Sequence, residues 1–167
     1  MSQPRTNPEA DLLYERDFYA WTQRQAEKLR SRSHNDIDWE TVAEEIESLG
    51  RSDRREIGNR IGVILLHLLK WEFQPGQRKP GWLITLTEQR SQVEKLLKES
   101  PSLFSLPDLS IQDEYPSARR KASAETEPAQ STFPEECPYS RGDVLSFDFL
   151  PGAPWSREEV YRDWVTP

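Results

Sequence analysis

Residues 57–73, I-G-N-R-I-G-V-I-L-L-H-L-L-K-W-E-F, read as one helix that is apolar on nearly every side. Ile57, Ile61, Ile64, Leu65 and Leu68 keep the three-or-four spacing of a helical stripe, and Val63, Leu66, Leu69 and Trp71 carry apolar character onto the other faces. Such a helix belongs in the core of a bundle or in a membrane. Arg60, His67 and Lys70 break the run far short of the roughly 20 apolar residues that a membrane span needs. Other helices must therefore cover this one. The expected fold is all-α: an antiparallel bundle core of about four helices, with a smaller helical C-terminal part.

The flanking segments supply those helices. Phe18, Trp21, Gln25 and Leu29, led by Tyr14, form a stripe over 14–32. Asp38 is a good N-cap for a second helix, 38–49, with Trp39, Val42, Ala43, Ile46 and Leu49 on one face and Gly50 as its left-handed stop. Ser52 then caps the central helix, 52–73, which Pro75 and Gly76 end. Trp82, Leu86, Gln89, Val93, Leu96 and Leu97 share a face of a fourth helix, 82–100, closed by Pro101. Tyr115, Ala118 and Ala122 mark a fifth, in which Pro116 is tolerable only in the first turn. Residues 127–138 read as a loop. Ser140 can cap a short helix through Leu145, and Ser156 with Glu159 makes a capping-box pattern ahead of Val160, Tyr161, Trp164 and Val165. No strand-type alternation and no internal repeat occurs. The expected organisation is a loose N-terminus (1–13), one helical domain (14–151) and a tail with a short helix (152–167).

Composition narrows the function classes. With 29 Asp plus Glu against 22 Lys plus Arg, the net charge of -7 disfavours a general nucleic-acid or anionic-membrane binder. One cysteine, Cys137, allows no internal disulfide, and no charged n-region with an apolar h-region opens the chain. A cytoplasmic, soluble protein is expected.

Four segments carry a resemblance. D-F-Y-A-W (Asp17 to Trp21), D-W-E-T-V-A-E-E-I-E-S-L-G-R-S (Asp38 to Ser52), H-L-L-K-W (His67 to Trp71) and F-P-E-E-C-P-Y (Phe133 to Tyr139) look like the domain-of-unknown-function family numbered twenty-nine, common in cyanobacteria. The likeness runs from about Tyr14 to Pro151. It implies a small, mainly helical protein and transfers no catalytic residue.

Three constellations could carry chemistry. Glu44, Glu45, His67 and Lys70 would form a polar cluster if the helices 38–49 and 52–73 lie side by side. A Glu-x-x-His motif and a histidine pair four apart are both absent, so a buried histidine bonded to a carboxylate, Glu45 foremost, is expected over a metal site. Arg51, Arg54, Arg55, Arg78 and Lys79 are a candidate basic patch, with Trp71 and Trp82 as stacking partners for RNA. The competing expectation is that the arginines pair with Glu44, Glu47 or Asp53 and that the tryptophans are core. Trp155, Tyr161 and Trp164 are candidates for docking onto a protein partner, either a second copy in a homodimer or another chain. Cys137, between Glu136 and Pro138, is expected to stay a thiol rather than act as a nucleophile.

A non-catalytic interaction or regulatory module is therefore the first reading, without cofactor or metal. A metal-dependent helical-bundle enzyme is the alternative, and a small RNA-binding or antitoxin-like protein the third.

Overall fold

The computed structural model describes residues 18–125 and 130–162. Among them are six α-helices and no strand: α1 (Phe18–Arg30), α2 (Trp39–Phe73), α3 (Pro80–Glu99), α4 (Leu106–Ala124), α5 (Arg141–Leu145) and α6 (Arg157–Tyr161). The protein is all-α, and the first four helices are the substantial ones. Two compact units form, one up to Arg51 and one from Ser52 onward.

One expectation fails at the unit boundary. Residues 39–73 form a single helix, without the stop expected at Gly50 or the new start at Ser52. Breaking the helix there would orphan up to four carbonyls and four N–H groups, whereas a helical glycine costs only about 1 kcal/mol. Glu47 and Arg51, one turn apart and paired at 3.4 Å, also bridge the glycine.

In the first unit, α1 stops at Arg30 because Arg32 adopts φ 56°. The Ser33 N–H then donates to the Lys28 carbonyl at 3.0 Å and the Arg32 N–H to that of Leu29 at 3.2 Å, satisfying the last turn. Asp38 caps α2, its Oδ1 accepting from the Thr41 N–H at 3.2 Å. Trp21, Gln25 and Ile37 are buried.

In the second unit, Ile57, Ile61, Ile64, Leu65, Leu68, Leu69 and Trp71 are fully buried, as a helix apolar on most sides requires. Leu86 and Val93 of α3 and Ile111, Tyr115, Ala118 and Ala122 of α4 complete the core with Phe133, Tyr139 and Val144. The pairing runs antiparallel between α2 and α3: Arg60 donates to Gln89 at 3.0 Å, while Trp71 clusters with Trp82 by the connecting turn. α4 runs parallel to α2, with Gly58 beside Ser110 and Glu114, and Lys70 paired to Glu125 at 2.6 Å. Gly62 permits the close approach, since a Cβ there would sit 3.2 Å from the Glu114 carboxylate.

Pro116 lies well inside α4 rather than in its first turn. Proline in a helix interior costs about 3 kcal/mol or more. Here it faces solvent, as does Gln112, whose carbonyl loses its i+4 donor and can take water instead. The buried face of Ile111, Tyr115, Ala118 and Ala122 holds the helix together across it.

The segment after α4 is strapped down by side chains. Tyr115 Oη donates to the Pro134 carbonyl at 2.8 Å and Arg119 Nε to that of Phe133 at 3.0 Å. Tyr139 Oη donates to Glu72 at 2.6 Å. Ser156 completes the capping box that its spacing with Glu159 predicted, and Ser140 caps its short helix as expected, closing a capping box with Asp143 as well. Gly152, at φ 87°, lies against the Glu72 backbone, and a Cβ there would come within 3.1 Å of Glu72 Cα. Gly152→Ala therefore combines backbone strain with a clash, and should cost about 1–3 kcal/mol in denaturant unfolding. An unchanged unfolding midpoint would contradict this.

Candidate functional site

The polar cluster was expected from two helices packed side by side, but Glu44, Glu45, His67 and Lys70 all belong to α2. Glu44 is exposed, and Glu45 half-buried, in the first unit. In the second, His67 Nδ1–H donates to the Val63 carbonyl one turn back at 2.9 Å. Lys70 pairs with Glu125 and sits 5.0 Å above the Trp82 ring. Burial lowers the His67 pKa, against the Val63 bond that raises it. The unfolded chain therefore takes the proton more readily, and stability is lost as pH falls through and below the ordinary histidine value of about 6.5. His67→Gln should stay folded and flatten that part of the stability-against-pH curve. An identical acid slope in the variant would show that His67 does not cause it.

The basic residues do not act as one group. Arg51 pairs with exposed Glu47, a contact worth well under about 1 kcal/mol. Arg54 and Arg55 are exposed, with no hydrogen bond or ion pair among the described residues. Arg78 is structural: Nε donates to the Trp71 carbonyl at 2.9 Å, Nη1 donates to Ala153 at 2.9 Å, and the guanidinium lies 4.8 Å over the Trp71 ring. Lys79 lies 5.8 Å from the Trp82 ring centroid. Trp71 and Trp82 are buried, so neither offers a face for base stacking.

Of the tail aromatics, Trp155 meets Trp71 edge-on at 5.3 Å and Tyr161 packs with the Trp71, Trp82 and Val160 cluster. Trp164 lies outside the described residues. α6 is thus seated on its own unit. The seat is imperfect, because Trp71 Nε1, both amide atoms of Gln74 and Nη2 of Arg78 are buried without a partner among the described residues.

Catalytic constellations are scarce. Burial pushes the Cys137 thiol up, and its Sγ donates to the Tyr139 carbonyl at 3.6 Å. Tyr115, beside it, is pushed up to about 12 by burial. Both side chains stay protonated near neutrality, along a groove of about 560 Å³ that also carries Glu135 and Glu136. Among the described residues no three His, Cys, Asp or Glu side chains gather as metal ligands. No helix among them is long and apolar enough to cross a membrane.

What the first unit does offer is an apolar face. Trp39 (52 %), Ile46 (65 %), Leu49 (68 %) and Leu29 (42 %) are exposed. Leu29, Ile46 and Leu49 line a shallow groove of about 320 Å³ between α1 and the start of α2, together with Trp21, Ala26 and Val42. The periodicity marked this stripe as a helix face, and its exposure could not be read from the sequence. Arg90 was missed altogether, although the signal was there. It occupies the apolar stripe Trp82, Leu86, Arg90, Val93, Leu97 of α3, a lone charge at a core position, and it is only 2 % exposed.

No curated protein and no solved structure matches this chain. The model of the family described as domain of unknown function DUF29 matches residues 13–150, leaving the segment that carries α6 outside. By that match, spanning most of its length, the chain belongs to the DUF29 family.

Proposed function

We propose that this protein is a non-catalytic helical interaction module that self-associates through the apolar face of its first unit. The observation that carries the reading is the exposure of Leu29, Ile46 and Leu49 along the α1–α2 groove, with Trp39 exposed two turns before Ile46 on the same helix. Large exposed apolar residues grouped on one helix face are a mark of an interaction surface. A second copy is a fitting occupant on grounds of shape. The stretch is acidic, with Glu40, Glu44, Glu45 and Glu47 against Arg51, and two copies crossing antiparallel near Ile46 set Arg51 of each near Glu40 of the other. Ala43 and Gly50, both exposed, let the backbones approach.

Light scattering coupled to size exclusion tests the proposal. The full-length chain should run as a dimer at micromolar concentrations, and Ile46→Glu with Leu49→Glu as a monomer of unchanged helicity. A monomeric wild type over that range, or a double variant that still dimerises, rejects it.

A further inference from the structure

Arg90 is buried without a counter-ion. Its Nε donates to the Val144 carbonyl at 2.9 Å, and its Nη2 to those of Phe149 at 3.1 Å and Asp143 at 3.3 Å. Those bonds leave Nη1. No described residue supplies it an acceptor, and it is not among the sealed polar atoms. The opening that Arg90 lines is a cavity of about 410 Å³, walled by Leu97, Phe104, Leu145 and Phe147.

The neighbouring charges do not compensate it. Glu94, on the cavity edge, pairs with Lys98 at 2.9 Å. Arg141 adds a second cation at the rim, 4.1 Å over the Phe104 ring, and is paired at 2.8 Å with Asp108, which does not line the cavity. Burial lowers the Arg90 pKa to about 10. Buried charges in proteins are ordinarily paired, and here three carbonyl dipoles stand in for the missing anion. Phe104 and Phe147 are 65 % and 47 % exposed, so the apolar wall is open to solvent. A nearly buried cation in the lining beside aromatic and aliphatic side chains is the polarity pattern of a site for an amphipathic anion.

We propose that this cavity binds a small apolar carboxylate, its carboxylate on Nη1 of Arg90 and its hydrocarbon body on Leu97, Phe104, Leu145 and Phe147. The site lies wholly in the second unit and is independent of the self-association surface. Two sources share this chemistry, a fatty acid and the free C-terminus of an apolar peptide.

Isothermal titration of the full-length protein with decanoate and with N-acetyl-Leu-Phe distinguishes them. At least one should bind, and whichever binds more tightly identifies the source. The matched neutral probes, 1-decanol and the peptide amide, should bind at least about tenfold more weakly, the usual worth of a charge-assisted hydrogen bond. Arg90→Gln should abolish the preference for the charged form. Because that variant also loses the carbonyl bonds, Phe147→Asp is the second arm. It places a carboxylate at the exposed rim and should weaken the charged probe by roughly tenfold without changing the melting curve. Absence of binding by both carboxylates, equal binding of charged and neutral probes, or undiminished binding in Phe147→Asp each overturns the proposal.

Discussion

Truncating Leu65 or Leu68 to alanine should cost about 2–5 kcal/mol each. Both side chains are fully buried, in a core shared with Leu86 and Val93 of α3 and Tyr115 and Ala118 of α4. The void cannot be closed cheaply. α2 is enclosed by neighbours on several sides, and closure on one side would pull against Gly58 and Gly62, already close to Ser110 and Glu114. In a chain of this size each kcal/mol lowers the melting temperature by roughly 2–4 °C, so a fall of several degrees is expected. If both variants melt within about 2 °C of the parent, α2 is not the centre of the core.

Arg90→Met should cost about 2–4 kcal/mol, even though it keeps an apolar stem of similar length. The loss falls on the carbonyls of Asp143, Val144 and Phe149, which the guanidinium holds. Two of them lie near the C-terminal end of α5, where a cation also meets the negative end of the helix. α5 has five residues and cannot persist without such an anchor. Hydrogen exchange should show amides from 140 to 150 losing protection while those of α2 keep theirs. Arg90→Lys, with one ammonium in place of a fork, should fall between. Protection unchanged around α5 would show that Arg90 does not anchor it.

The two variants mark the boundary of what could be read in advance. Leu65 and Leu68 were legible because a helix apolar on most sides has few places to be. The capping box at Ser156 and the caps at Ser140 and Asp38 were legible for a similar reason, since each motif closes its hydrogen bonds within three residues. Gly50 and Pro116 misled because their local preference was weaker than the cost of ending a helix there, and only the surrounding chain sets that cost. The juxtaposition of Glu45 with His67 depended on the break at Gly50 and went with it.

The sequence by itself determined the helical class, the core face of α2, the capped helix starts and membership of a family that resembles it in several separate segments. These follow from interactions within a few turns of one helix, where spacing equals geometry. Tertiary structure alone decided that Trp39, Ile46 and Leu49 stay exposed while Arg90 is buried. Both stripes read as apolar faces, and whether such a face is covered depends on a neighbour far along the chain. For Arg90 that neighbour is the turn at 143–149, more than 50 residues on, whose carbonyls make burial of a charge tolerable.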